Sequence, residues 1–202
     1  MYQIHSVVCR AGVRRVVVTV TFTALACALG HRSPAFAQMA PPVMAWDRTY
    51  GGGDFDEARA VAVTPEGDYL VAGWTNSFGG GLADLWLVRT TAAGAVVWSR
   101  TFGGPSNDRG FSLALTSDGG AVIAGVTESF GAGKADVYLV KTDRDGYPEW
   151  QQTYGGADND LGFAVRSTAD GGYVVAGWTA SFSGGRYAAY LLKTDAAGIL
   201  AW

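Results

Sequence analysis

Oxygen-bearing side chains and tryptophans at recurring positions are the residues through which this chain could do chemistry. Acid-rich loops follow each Gly-Gly pair: Asp54, Asp56 and Glu57, then Asn107 and Asp108, then Asp158, Asn159 and Asp160. Loops of this kind can hold Ca²⁺, which takes about six to eight oxygen ligands. The same side chains also accept hydrogen bonds from nearby backbone amides in tight turns. Asp56, Asp108 and Asp160 occupy one repeating position, which favours the turn. Trp74 and Trp178 share another such position, with Val126 between them. Their rings can stack on sugar faces if they reach a surface, or fill the space between neighbouring structural units if they do not.

Two further patterns carry chemical meaning. Asp143-Arg144-Asp145-Gly146 is like the middle of an EF-hand calcium loop, which makes Asp143 and Asp145 the candidate metal ligands. The rest of that loop is missing, since Lys141 stands at its first Asp position and Gln152 at its closing Glu. A polar hairpin turn ending on Gly146 accounts for the same residues. Paired carboxylates can also run glycoside hydrolysis without help from His or Cys. A catalytic pair stands at one unique place, however, whereas most acids here repeat along the chain. Nucleophile elbows, phosphate loops and metal-protease helices are absent from the sequence. The balance favours a non-catalytic protein with no required cofactor.

Residues 1–37 read as an export signal. Arg10, Arg14 and Arg15 precede an uncharged run from Val16 to Gly30, and Ala35-Phe36-Ala37 is a small-x-small site that places cleavage before Gln38. A retained anchor, a lipoprotein modified at Cys27 and twin-arginine export are weaker readings of the same stretch. Cys9, Cys27, His5 and His31 are the only residues of their types, so cleavage leaves neither Cys nor His. That removes disulfides, thiolate nucleophiles, His-dependent triads and Cys/His zinc sites from the mature protein. Net charge moves from −3 to −7, because 11 basic residues then face 18 acidic ones. An acidic chain of this kind argues against a nucleic-acid binder, which normally shows a basic patch. After cleavage no membrane segment is expected, and the predicted location is secreted or periplasmic.

The elements that must position these side chains come from a repeat. Trp46, Trp98, Trp150 and Trp202 are spaced by 52 residues, and the same offset superposes Tyr50-Gly51-Gly52 on Phe102-Gly103-Gly104 and Tyr154-Gly155-Gly156. With 38–45 as a short lead-in, the repeat domain spans 46–202 as units 46–97, 98–149 and 150–201. A fixed period of this length marks supersecondary units that cover one another's apolar faces. Each unit predicts four short strands, placed in the first at about 58–64, 69–75, 85–90 and 95–102. Turns between them carry Gly67, Gly119 and Gly171, or Gly94, Gly146 and Gly198, where a tight hairpin needs positive φ. The second strand is nearly continuous apolar sequence, as in a strand buried on both faces. A basic residue closes the third: Arg89, Lys141 or Lys193.

These motifs resemble a family. Trp-x-x-Thr-Tyr/Phe-Gly-Gly, Asp-Gly-Gly-Tyr-x-Val-Ala-Gly and Tyr-Leu-x-Lys-Thr-Asp, fullest at Trp150 to Gly156, Asp170 to Gly177 and Tyr138 to Asp143, are similar to repeats of secreted and surface β-propeller proteins of bacteria and archaea. The resemblance covers 46–202 and implies an all-β, propeller-like array of three four-stranded antiparallel blades. It also implies a binding or scaffold module with a protein or glycan partner at the cell surface. Some relatives of this type are labelled lectin-like or glycan-degrading, which supplies the alternatives of a glycan-binding protein or a glycan-acting hydrolase. Copy 3 departs from the pattern at Ala188, where the others have Asp84 and Asp136. Three blades do not readily close a ring, since about four to eight are usual. Either a homodimer completes it, or the sequence is a piece of a longer one.

Overall fold

The computed structural model describes residues 45–202; the expected export signal lies outside the described residues. Tyr50–Trp202 forms one compact unit. Its eleven strands are β1 (Asp56–Val63), β2 (Tyr69–Thr75), β3 (Asp84–Thr90), β4 (Val96–Phe102), β5 (Asp108–Leu115), β6 (Ala121–Thr127), β7 (Asp136–Thr142), β8 (Pro148–Tyr154), β9 (Asp160–Ser167), β10 (Tyr173–Thr179) and β11 (Ala188–Thr194). No helix occurs among the described residues. The strands form three open antiparallel sheets in chain order: β1-β2-β3-β4, β5-β6-β7-β8 and β9-β10-β11.

The first two sheets meet the expectation of four strands, and the third corrects it to three. Beyond β11, Leu200 to Trp202 run alongside it. They pair through a bridge from Thr194 to Leu200, with Ala201 N donating to Lys193 O at 2.7 Å and Lys193 N to Trp202 O at 2.9 Å. A sheet therefore runs from the acid-rich loop to the end of the Trp-bearing strand, as in 56–102. It is offset by about ten residues from units counted at the tryptophans.

Packing follows from the two-residue alternation of side chains along a strand. One face of sheet 1 (Leu70, Ala72, Leu85, Leu87, Phe102) meets the opposite face of sheet 2 (Leu113, Ala121, Ile123, Tyr138, Val140). The other face of sheet 2 (Val122, Ala124, Val137, Leu139, Tyr154) meets sheet 3 (Val165, Tyr173, Val175, Leu192). At each junction three strands of one sheet lie against the first strand of the next, β5 or β9. The central strand β6 is buried along its whole length, as a doubly covered strand should be. Its counterparts β2 and β10 are buried only in part.

Backbone contacts also link the sheets. Ala83 O accepts from Asp108 N and Ala135 O from Asp160 N, both at 2.7 Å, within short parallel bridges to Asn107 and Asn159. Each first strand carries a bulge, at Ala58/Ala60, Gly110/Ser112 and Gly162/Ala164. The bulge brings backbone onto backbone at Gly73, Gly125 and Gly177. A Cβ on Gly125 would lie 1.8 Å from Arg109 O, so only glycine fits there.

Candidate functional site

The acid-rich loops are held together by their own carboxylates. Asp56 Oδ2 accepts from Gly52 N at 2.8 Å and Ser77 Oγ at 2.8 Å, while Thr75 Oγ1 donates to Oδ1. The pattern recurs with Gly104 N at 2.7 Å and Ser129 Oγ at 2.6 Å on Asp108, and with Gly156 N at 2.8 Å and Ser181 Oγ at 2.5 Å on Asp160. The serine oxygens then accept from Asp54 N, Ser106 N and Asp158 N, each at 3.0 Å. These carboxylates thus knit the loop after the Gly-Gly pair to the loop after β2. Burial raises the Asp160 pKa, but the Ser181 and Thr179 hydroxyls and the Gly156 amide outweigh it and hold the group below its ordinary value.

A second set of acids stands at the start of the third strands, and sequence reasoning did not join it to the first. Asp84 Oδ2 accepts from Gly81 N at 3.1 Å, and Asp136 Oδ2 from Ala132 N at 3.0 Å and Gly133 N at 3.1 Å. Their other oxygens face the next sheet. Asp136 Oδ1 and Asp160 Oδ2 lie 2.0 and 2.6 Å from the point where a Cβ on Gly155 would stand, so they are less than about 5 Å apart. Asp84 Oδ1 and Asp108 Oδ2 flank Gly103 in the same way, at 2.4 and 2.7 Å. Asp136 Oδ1 has no hydrogen-bond partner among the described residues. Burial, with the nearby Asp160 charge, raises the Asp136 pKa, and burial with Asp108 raises that of Asp84.

At the second junction the two carboxyls are driven apart, Asp136 raised and Asp160 lowered, as two like charges held close are. That is also the arrangement of an acid/base pair in glycoside hydrolysis, where retaining enzymes hold their carboxyls about 5–5.5 Å apart. Access decides between the readings. Asp84, Asp108, Asp136 and Asp160 are all buried, beneath glycines whose hydrogens already touch them. The four carboxyls are closed off from solvent, and the pair recurs at both junctions. The available signal was the spacing of 24 residues from Asp84 to Asp108 and from Asp136 to Asp160, with Ala188 breaking the series.

The basic residues closing the third strands also find acids. Buried Lys141 Nζ lies 2.7 Å from Asp118 Oδ2, 2.8 Å from Glu149 Oε2 and 2.9 Å from Thr142 O. Arg89 pairs with Asp68 at 3.0 Å, and Lys193 with Asp170 at 2.9 Å. Burial alone would raise the Asp118 pKa, but its bonds from Lys141 and Thr116 lower it to about 2.

Of the residues singled out in the sequence, Asp143 and Asp145 sit in the β7–β8 turn. Asp143 Oδ1 accepts from Asp145 N at 2.9 Å and Tyr147 N at 2.8 Å. Asp195 does the same for Ala197 N at 2.9 Å and Ile199 N at 2.8 Å. Among the described residues, no three His, Cys, Asp or Glu are grouped to hold a metal ion. Trp74 is buried between sheets 1 and 2, edge-on to Phe111 at 6.0 Å, with Arg59 and Arg109 over its ring at 4.9 and 5.6 Å. Trp178 lies on the outer face of sheet 3, edge-on to exposed Tyr187 at 4.5 Å, where Ala188 and Ala189 complete an open hollow of about 420 Å³. The two tryptophans are therefore not brought into one site. In comparisons with known proteins, the chain matches no family model and no curated protein.

Proposed function

We infer that the chain is a secreted, non-catalytic, β-propeller-like repeat protein that serves as a binding or scaffold module at the cell surface or outside the cell. One observation supports this most directly. Three equivalent antiparallel sheets bury successive faces against each other, and their acids hold loops and junctions in place. Sheets stacked in this repeating manner are how a propeller or solenoid gains stability, and what they present outward is loop surface. Incubating purified protein with a panel of plant and bacterial polysaccharides tests the non-catalytic part. No released reducing sugar is expected, and turnover of any polysaccharide replaces the module with a hydrolase.

A lectin-like reading draws on the Trp178–Tyr187 hollow, where half-buried Trp178 and exposed Tyr187 offer a stacking surface for a sugar ring. A glycan array settles its standing: binding that disappears in Trp178→Ala makes the protein a lectin. A blank array, or binding indifferent to that substitution, removes the hollow as a sugar site.

A further inference from the structure

The two outer faces of the sheet stack carry the two halves of a junction the chain already makes twice. The face that sheets 1 and 2 turn toward the next sheet holds Leu87 and Leu139, both 0 % exposed; the equivalent Leu191 of sheet 3 is 54 % exposed. Ala189 is likewise open where Leu85 and Val137 are buried, and Ala176 where Ala72 and Ala124 are. On the receiving side, Leu113 of β5 is 8 % exposed and Val165 of β9 is 1 %, while the equivalent Val61 of β1 is 66 % exposed. Phe55 and Val63 lie open beside it. Trp86 and Val88 on the same sheet are already buried, so the open part is the first strand, the part that receives a neighbour at both internal junctions.

The geometry points to a second copy of this chain as the occupant: sheet 3 of one copy docks on β1 of the other, and two copies close a six-sheet ring. Three details of the repeat support this pairing. Trp74 meets Phe111 across the first junction, and the same offset sets Trp178 against Arg59 of the second copy, a cation–π contact in place of an aromatic one. Tyr154 donates to Gly198 O of sheet 3, and Tyr50 makes the same bond to Gly94 O of sheet 1. Tyr50 thus occupies the place that the end of a fourth strand in the docking sheet would take, and sheet 3 is the sheet with three strands. Finally, Ala188 stands where Asp84 and Asp136 face the next sheet's acid, so Asp56 of the second copy meets no opposing carboxylate. A junction formed between separate chains is the one relieved of the like-charge pair.

The face pairing rests on the internal junctions. Only the copy number rests on the propeller-like reading, since two is the number of three-sheet chains that falls within about four to eight blades. Light scattering on purified protein eluting from a sizing column should give the mass of two copies. Leu191→Asp and Val61→Asp, both at exposed positions, should each give a folded monomer by circular dichroism. An equimolar mixture of the two variants should regain the dimer, because a mixed pair keeps one junction with both faces unaltered. A monomeric wild type, a dimer that ignores both substitutions, or a mixture that stays monomeric overturns the docking and leaves the propeller-like reading standing. Assemblies larger than two copies overturn the ring and that reading with it. Binding of a glycan to a monomer through Trp178 assigns the face to the sugar instead.

Discussion

Ionising Asp136 costs more in the folded chain than in the unfolded one, because burial and the Asp160 carboxylate raise its pKa. Below the unfolded value near 4 the group is protonated in both states and contributes nothing. As pH rises from there toward the folded value, the native state loses stability through this group. Asp136→Asn removes that loss while keeping an acceptor for the Ala132 and Gly133 amides. Its stability relative to the wild type should therefore climb between pH 4 and 7 in urea melts, and a flat difference would show that the pair bears no such cost. Asp118 has the opposite sign. Held near 2 by Lys141 against the pull of burial, it adds stability above about pH 4 that is lost as pH falls through 2. The Lys141 cluster is also asymmetric, since the lysine is buried and its two acids are about half exposed. Lys141→Met should cost about 1 kcal/mol or less, as the acids rehydrate. Asp118→Ala combined with Glu149→Ala strands a buried ammonium and should cost about 3 kcal/mol. Equal losses in the two denaturation curves would contradict this account.

At the scale of strands and turns, backbone contact sets the tolerances. Gly125→Ala drives a Cβ to 1.8 Å from Arg109 O, where neither backbone can yield without breaking the β5–β6 pairing. A loss of about 2–3 kcal/mol is expected. Gly80→Ala, in the open loop before β3, meets nothing and should be neutral or gain about 0.5 kcal/mol through the unfolded chain. A chemical-denaturation series on both variants checks the contrast. Strand bounds were nearly all readable in advance because alternation and turn glycines recur at one period: the expected 69–75 is β2 residue for residue, and 95–102 misses β4 by one. What depends on contacts between units was not. The bulges in β1, β5 and β9 leave only small residues, Ala58, Gly110 and Gly162, as their trace. Asp84 and Asp108 look like separate repeating positions until a junction sets them face to face. Trp74 and Trp178, alike in sequence, differ because one has a following sheet over it and the other has open space.

Across the whole molecule, the same apolar face is buried twice and exposed once, and each buried leucine on it contributes about 1.5–3 kcal/mol. Docking a second copy would recover that term for Leu191, and Ala188 determines whether it can do so at neutral pH. Within one chain the covalent link holds neighbouring sheets together, so the Asp136–Asp160 pair is tolerated at the second junction. Between copies no link compensates. Two carboxylates 5 Å apart repel by about 3 kcal/mol at an effective dielectric constant of about 20. Even half of that is a tenfold weaker dissociation constant. Ala188→Asp, which restores the acid opposite Asp56 of the second copy, should therefore shift dimer dissociation by tenfold or more in sedimentation equilibrium, while Ala188→Asn, of the same size and uncharged, should shift it far less. Equal effects of the two substitutions would mean that side-chain volume, and not the missing charge, governs this face; no effect of either would place Ala188 outside the junction.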